Sequence, residues 1–142
     1  MNQVGSLRIE AILENVPVAV DYVAHTGRII GVDEAALYQI QVAVDEACAN
    51  VVQHAYAGME PGEMEILCHV DNGSFIISIR DWGNSFNPEE ISDPDISSPL
   101  EERSLGGLGL FFMKQYMDKV SFSSDPEAGN ELTMVKRRVS AA

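Results

Sequence analysis

The sequence predicts a single α/β domain, and three observations predict it. A stripe of apolar residues at helical spacing runs from Leu37 to Ala55. Two alternating, strand-like runs flank Asp71-Asn72-Gly73, and Asn-Gly between such runs is a strong hairpin signal. The chain has 142 residues, 46% of them hydrophobic, which suits one domain (1–142) with a real core.

Residues 7–13 read as a short strand, since Leu7, Ile9 and Ala11 alternate against Arg8 and Glu10. Val16, Val20, Val23 and Ala24 recur at helical spacing and predict a helix over 16–30. Gly31 breaks it, and Asp33 is placed to cap the next helix. In that helix Leu37, Ile40, Val44, Ala47, Val51 and Ala55 follow steps of three and four. A second stripe, Gln39, Ala43, Glu46, Asn50 and Gln53, lies beside it with His54 adjoining. An apolar face with a polar rim makes a suitable pocket floor. The helix is expected to stop near Tyr56, before Gly58 and Pro61.

Strands are expected over 63–70, around Met64, Ile66 and Cys68, and over 74–81, around Phe75, Ile77 and Ile79. From Asn84 to Gly106 the pattern dissolves, and Pro88, Pro94 and Pro99 mix with Ser, Asp and Glu. A segment this long is functional or disordered. A mobile lid and a plain surface loop both fit it. A helix over 108–117 opens directly after a glycine run. The last two strands are expected over 119–123 and 131–138, joined by a turn from Asp125 to Asn130.

Net charge is −13, and the pI is near 4.4. Such a chain is a poor candidate for holding nucleic acid by charge, which needs Lys and Arg against phosphates. An acidic surface fits a basic protein partner or simple solubility. No apolar run reaches the length of a membrane span, and the N-terminus lacks the layout of a secretory signal. Cys48 and Cys68 give neither a disulfide framework nor zinc spacing; both read as buried thiols of a cytoplasmic protein. His25, His54 and His69 are scattered, which argues against a histidine metal site.

Three segments carry chemistry. Glu46 and Asn50 stand four residues apart, so a helix puts them one turn apart on one face. A carboxylate takes a proton or orients a nucleophile, and an amide oxygen binds a hard cation such as Mg2+. Asn in mid-helix gains little unless its amide is used. The competing reading is two solvated polar residues on a helix rim. Asp81 closes a strand and is followed by Gly83. Such a carboxylate can accept from an exocyclic amine, and glycine lets the backbone approach a base; an ordinary turn has the same composition. Gly106-Gly107-Leu108-Gly109 opens a helix, whose first N–H groups favour an anion. It is neither the dinucleotide fingerprint nor a P-loop, and a flexible turn also fits.

Taken together, these segments resemble a known family. Glu46-Ala47-Cys48-Ala49-Asn50 with Gln53-His54-Ala55-Tyr56, then Asp81-Trp82-Gly83-Asn84-Ser85-Phe86, then Gly107-Leu108-Gly109-Leu110, look like the N, G1 and G2 boxes of the GHKL ATPases. Within that superfamily they look most like bacterial anti-sigma factor serine/threonine kinases. The resemblance spans nearly the whole chain. It implies the Bergerat ATP-binding fold: an α+β two-layer sandwich with helices on one face of a mixed, mostly antiparallel sheet. It implies Glu46 as the general base and Asn50 as the ligand of a Mg2+ that bridges the ATP phosphates. It further implies Asp81 and Gly83 at the adenine, Gly107, Leu108 and Gly109 at the phosphates, and a lid over 84–106.

One departure stands out. The superfamily often has Thr after Gly in the penultimate turn, where it helps to hold adenine through water; here Asn130 follows Gly129. Asn130 can keep the role by hydrogen bonding, with Thr133 as a substitute. Arg103 either reaches the γ-phosphate or is a solvated lid charge, and His54 reads as a capping or packing residue.

The resemblance implies a kinase that phosphorylates a STAS-domain anti-anti-sigma protein and sequesters a sigma factor or equivalent regulator, with a homodimer as the working unit. A non-catalytic ATP-binding partner-capture module of the same fold is the alternative. The catalytic half of a sensor histidine kinase is a third reading, for which 142 residues leave little room for a phosphoacceptor helix pair.

Overall fold

The computed structural model describes residues 2–85 and 113–137. Arg103, the glycine run and the expected lid from residue 86 onward lie outside them.

The first strand, β1 (Asn2–Glu10), starts and ends earlier than the expected 7–13. Its first residues are exposed, so no apolar alternation marks them. They are held instead by pairing with β2 (Glu63–Asp71) along its whole length, from Asn2 opposite Val70 to Glu10 opposite Glu63. Ala11 N–H then donates to the Gly62 carbonyl at 2.8 Å, and the chain turns into a short 3-10 helix, Leu13–Asn15.

Helix α1 (Val16–Ile30) has the predicted bounds and ends at Gly31, whose φ of 93° gives the left-handed stop. Asp33 caps α2 (Glu34–Asn50) by accepting the Ala36 N–H at 2.8 Å. Such a cap contributes about 1 kcal/mol. The helix continues through Val51–Ala55, as expected, but this last turn is wound wider, as a π-helix.

β2 and β3 (Ser74–Asp81) form the predicted hairpin. Asn72 (φ 51°) and Gly73 (φ 80°) are both left-handed, as a type I′ turn requires. After the undescribed stretch, residues 113–116 are helical. Then come β4 (Lys119–Asp125) and β5 (Gly129–Lys136). The sheet runs β1-β2-β3-β5-β4. Every pairing is antiparallel among the described residues, so the parallel part of the expected mixed sheet is not seen there.

The core lies between the helices and one face of the sheet. Leu37, Ile40, Val44 and Ala47 are buried with Met64, Ile66, Phe75, Ile77, Ile79 and Met134. Each fully buried side chain of this size contributes roughly 1.5–3 kcal/mol. Lys136 braces the layers: its Nζ donates to Gln39 Oε1 at 2.6 Å and to the Tyr116 carbonyl. The opposite sheet face has no helix over it among the described residues. There Arg8, Glu65, Arg80 and Glu131 stand in one cross-strand row. Arg80 Nη2 is 2.6 Å from Glu131 and Arg80 Nη1 is 3.7 Å from Glu65.

This topology positions the candidate site. Because β5 inserts between β3 and β4, the last residue of β3, Asp81, is paired directly with Asn130.

Candidate functional site

Asp81 and Asn130 are both buried, at 3% exposure each. Asp81 Oδ1 accepts from the Gly83 N–H at 2.9 Å and from Asn130 Nδ2 at 2.8 Å. Among the described residues no donor reaches Oδ2. Asn130 Nδ2 is also 3.2 Å from the carbonyls of Gly83 and Asn84. Asn130 Oδ1 in turn accepts from Ser124 Oγ at 2.8 Å. Burial pushes the Asp81 carboxyl above the ordinary carboxylate range, and the two donors pull it back down. The result is an aspartate with one oxygen engaged by the protein and the other open.

The end of α2 is fastened to the same turn. Asn84 N–H donates to the Ala55 carbonyl at 2.6 Å. The Tyr56 hydroxyl donates to the Glu63 carbonyl at 2.7 Å and accepts the Trp82 N–H at 3.0 Å. Burial raises the Tyr56 phenol above its usual range, so it stays a donor at neutral pH. Gly83 is needed for this closure. A Cβ there would lie 2.3 Å from the Ala55 oxygen and 2.6 Å from its carbonyl carbon. The sequence suggested that this glycine makes room for a base; within the protein it makes room for the helix end. Gly129 (φ +92°) is required on its own account, since a Cβ would meet the Asp81 carbonyl oxygen at 2.5 Å.

Glu46 and Asn50 lie on α2 itself, one turn apart. Glu46 is half-buried; burial, then the neighbouring Asp45 charge, raises its carboxyl above the usual range. Asn50 is 3% exposed, and its Nδ2 has no hydrogen-bond partner among the described residues. A buried amide left this way costs about 1–3 kcal/mol. Turned one way it offers a donor to a phosphate oxygen; turned the other, it offers an oxygen to a hard cation. The residue present therefore fits a Mg–nucleotide. Among the described residues no group of three or more His, Cys, Asp or Glu could hold a metal.

The structure thus brings Asp81, Gly83 and Asn130 together and docks the α2 end on them. Gly107, Leu108 and Gly109 lie outside the described residues. Thr133 does not join the site; it sits on the uncovered face, 3.3 Å from Ser78 Oγ. A cavity of about 230 Å3 opens at the same turn, lined by Trp82, Gly83, Ser85, Ser124 and Asn130 among others. A larger hollow of about 550 Å3 lies over Glu65, Arg80 and Glu131 on the uncovered face and touches none of the motif residues.

Two contributors escaped sequence reasoning. Tyr56 stands inside a quoted run, but its bridge to Trp82 shows only in three dimensions. Ser124 has no local signal at all; only the β4–β5 register, which sets it opposite Asn130, brings it in.

Comparison with known proteins accords with this geometry. The model of the histidine kinase-like ATPase domain matches residues 9–136. The serine-protein kinase RsbW of Halalkalibacterium halodurans is 40% identical over 101 residues, covering 68% of this chain and 60% of the relative. RsbW of Listeria innocua is 33% identical over 99 residues, covering 67% and 63%. The chain thus spans less than two thirds of the length of either kinase. The anti-sigma F factor of H. halodurans is 30% identical over 98 residues, covering 69% and 67%. A crystal structure of the RsbU and RsbW domains of a Mycobacterium tuberculosis protein shares the fold, with a TM-score of 0.66 at 18% identity over 94% of this chain and 32% of the other. The chain belongs to the histidine kinase-like ATPase domain family, and the relatives it resembles are RsbW-like anti-sigma factor kinases.

Proposed function

We propose that this protein is an ATP-dependent serine/threonine kinase and anti-sigma factor of a partner-switching system. It would phosphorylate a STAS-domain anti-anti-sigma protein and otherwise hold a sigma factor or equivalent regulator. One observation carries the reading: the buried Asn50 Nδ2, without a partner among the described residues, sits one turn from the half-buried Glu46.

In this reading Asp81 accepts the adenine amine at Oδ2, while Gly83 and Asn130 hold Oδ1. Asn50 holds the cation, and Gly107, Leu108 and Gly109 line the phosphates. Bound Mg2+ supplies charge neutralisation at the phosphates. Glu46 prepares the substrate hydroxyl by accepting its proton. A carboxyl raised by burial is a stronger base than an exposed one, which suits the task. Phosphoryl transfer asks mainly for such positioning and charge stabilisation.

The uncovered sheet face supports a homodimer. Arg8, Glu65, Arg80 and Glu131 alternate in sign across four strands, so a partner related by a two-fold axis along the strands would set each charge against its opposite. A monomer in light scattering at micromolar concentration would count against it. The buried free thiols Cys48 and Cys68, both pushed up to about 12, suit a reducing cytoplasm. Among the described residues no helix is long and apolar enough to cross a membrane.

The test is incubation of the protein with Mg-ATP and its cognate antagonist. Wild type is expected to yield phosphoserine, and Glu46→Ala to lose about 10²–10⁴ of the rate with ADP affinity kept. Absence of phosphoserine with wild type, alongside intact nucleotide binding and partner capture, would favour the non-catalytic module.

A further inference from the structure

Asn130 Nδ2 has two protons and three acceptors around it: Asp81 Oδ1 at 2.8 Å and the Gly83 and Asn84 carbonyls at 3.2 Å. A small rotation of the carboxamide therefore trades the carboxylate for the backbone. What fixes the rotation is on the other side. Ser124 Oγ donates to Asn130 Oδ1 at 2.8 Å, and it is the partner that oxygen has among the described residues. The two residues face each other across the β4–β5 register, so the hydroxyl is held by the sheet.

We propose that Ser124 is a positioning residue of the base pocket: acting through Asn130, it aims the amide at Asp81 Oδ1 and so leaves Oδ2 as the single acceptor for an exocyclic amine. This rests on the nucleotide reading above. A donor at the amide oxygen also polarises its N–H, strengthening the bond to the carboxylate. Charge-assisted bonds of this kind are the strong ones.

Two consequences follow for ligand choice. An oriented Asp81 carboxylate prefers a purine with an amine at C6, as adenine has, over one with a carbonyl there. A loosened Asp81 takes up a proton at higher pH, and the protonated carboxyl can then donate to a base carbonyl, as guanine presents. Loss of Ser124 is thus expected to blunt the choice between the two purines. Tyr56 senses the Asp81 charge and stays protonated throughout the range at issue.

The experiment compares wild type with Ser124→Ala, Ser124→Thr and Ser124→Val. Thr and Val have the same shape and suit a strand, and only Thr keeps the hydroxyl. ADP and GDP are titrated calorimetrically without magnesium, from acid to neutral pH, with the melting temperature of each variant recorded. Ala and Val are expected to weaken ADP about fivefold to tenfold, the worth of one neutral hydrogen bond such as that from Ser124 to Asn130. They should also shift the acid loss of binding to higher pH and narrow the ADP:GDP ratio, while Thr matches wild type. Equal affinities, acid limbs and ratios for Thr and Val overturn the proposal even where the melting temperature drops, since that is a purely structural role. A wild type that binds neither nucleotide overturns the base-pocket reading itself, and this inference falls with it.

Discussion

The two ends of the candidate site are built on opposite plans. At the strand end, Asp81 and Asn130 satisfy each other, and Gly83 and Ser124 complete the set. Only one carboxylate oxygen is left over. At the helix end, Asn50 is buried with an Nδ2 that has no partner among the described residues, and Glu46 is raised by burial and by Asp45 without a compensating donor there. The contrast follows from where each set sits. Sheet registry can bring four polar groups together from three strands and a turn. A single helix face can place two groups one turn apart but cannot satisfy them. The strand end is thus finished by folding, whereas the helix end is finished by whatever binds.

The sharpest way to break this contrast is Asn50→Ala. Phosphotransfer with Mg-ATP is expected to fall about a hundredfold or more, since a cation's share of such catalysis is several kcal/mol. Stability should not fall by more than about 1 kcal/mol, because removing the orphaned amide relieves its desolvation cost and offsets the packing lost. A large fall in melting temperature would mean that Asn50 is satisfied and structural.

Asp81→Asn probes the finished end. ADP affinity should drop about tenfold to a hundredfold, as expected when a charged acceptor is lost. Stability should move the other way. The folded Asp81 carboxyl is raised by burial, so the stability it contributes is present below its unfolded pKa and lost as pH rises through the folded one. At neutral pH the buried charge is therefore a cost that Asn removes. Denaturant melts should show the variant at or above wild type at pH 7, with the gain fading toward acid pH.

Gly83→Ala is the smallest of the three effects and tests the seam between the two ends. Its Cβ would intrude to 2.3 Å from the Ala55 oxygen. A loss of about 1–3 kcal/mol is expected by calorimetry, the usual penalty of overpacking. An unchanged melting temperature would show that the seam is soft.

Much of this was legible in the chain. The six residues of the α2 stripe are all buried, and so are the inward residues of β2 and β3, because periods of 3.6 and 2 are direct consequences of backbone geometry. The Asn72-Gly73 hairpin and the Asp33 cap were equally direct, since each is local chemistry. What was not legible depends on distant pairing. The first half of β1 has no apolar rhythm because it is an exposed edge, and only β2 gives it a place. Ser124 looks like any serine until β4 meets β5. The second constraint on Gly83 could not be read from the chain, because its neighbour in space, the Ala55 carbonyl, is 28 residues away.

The wide turn at Val51–Ala55 has a further meaning. A π turn is in effect a helix with one residue too many. Deleting a residue there would let the helix relax to regular winding with Glu46 and Asn50 undisturbed. A π turn holds one more residue than an α turn for nearly the same sweep, so the chain beyond would keep its direction. Losing a second residue, with no spare left, would rotate everything beyond by about 100° and swing the phenol that pins the Trp82 amide off the sheet. Length in this five-residue stretch, more than the identity of its side chains, is what a designer or a natural insertion would have to respect.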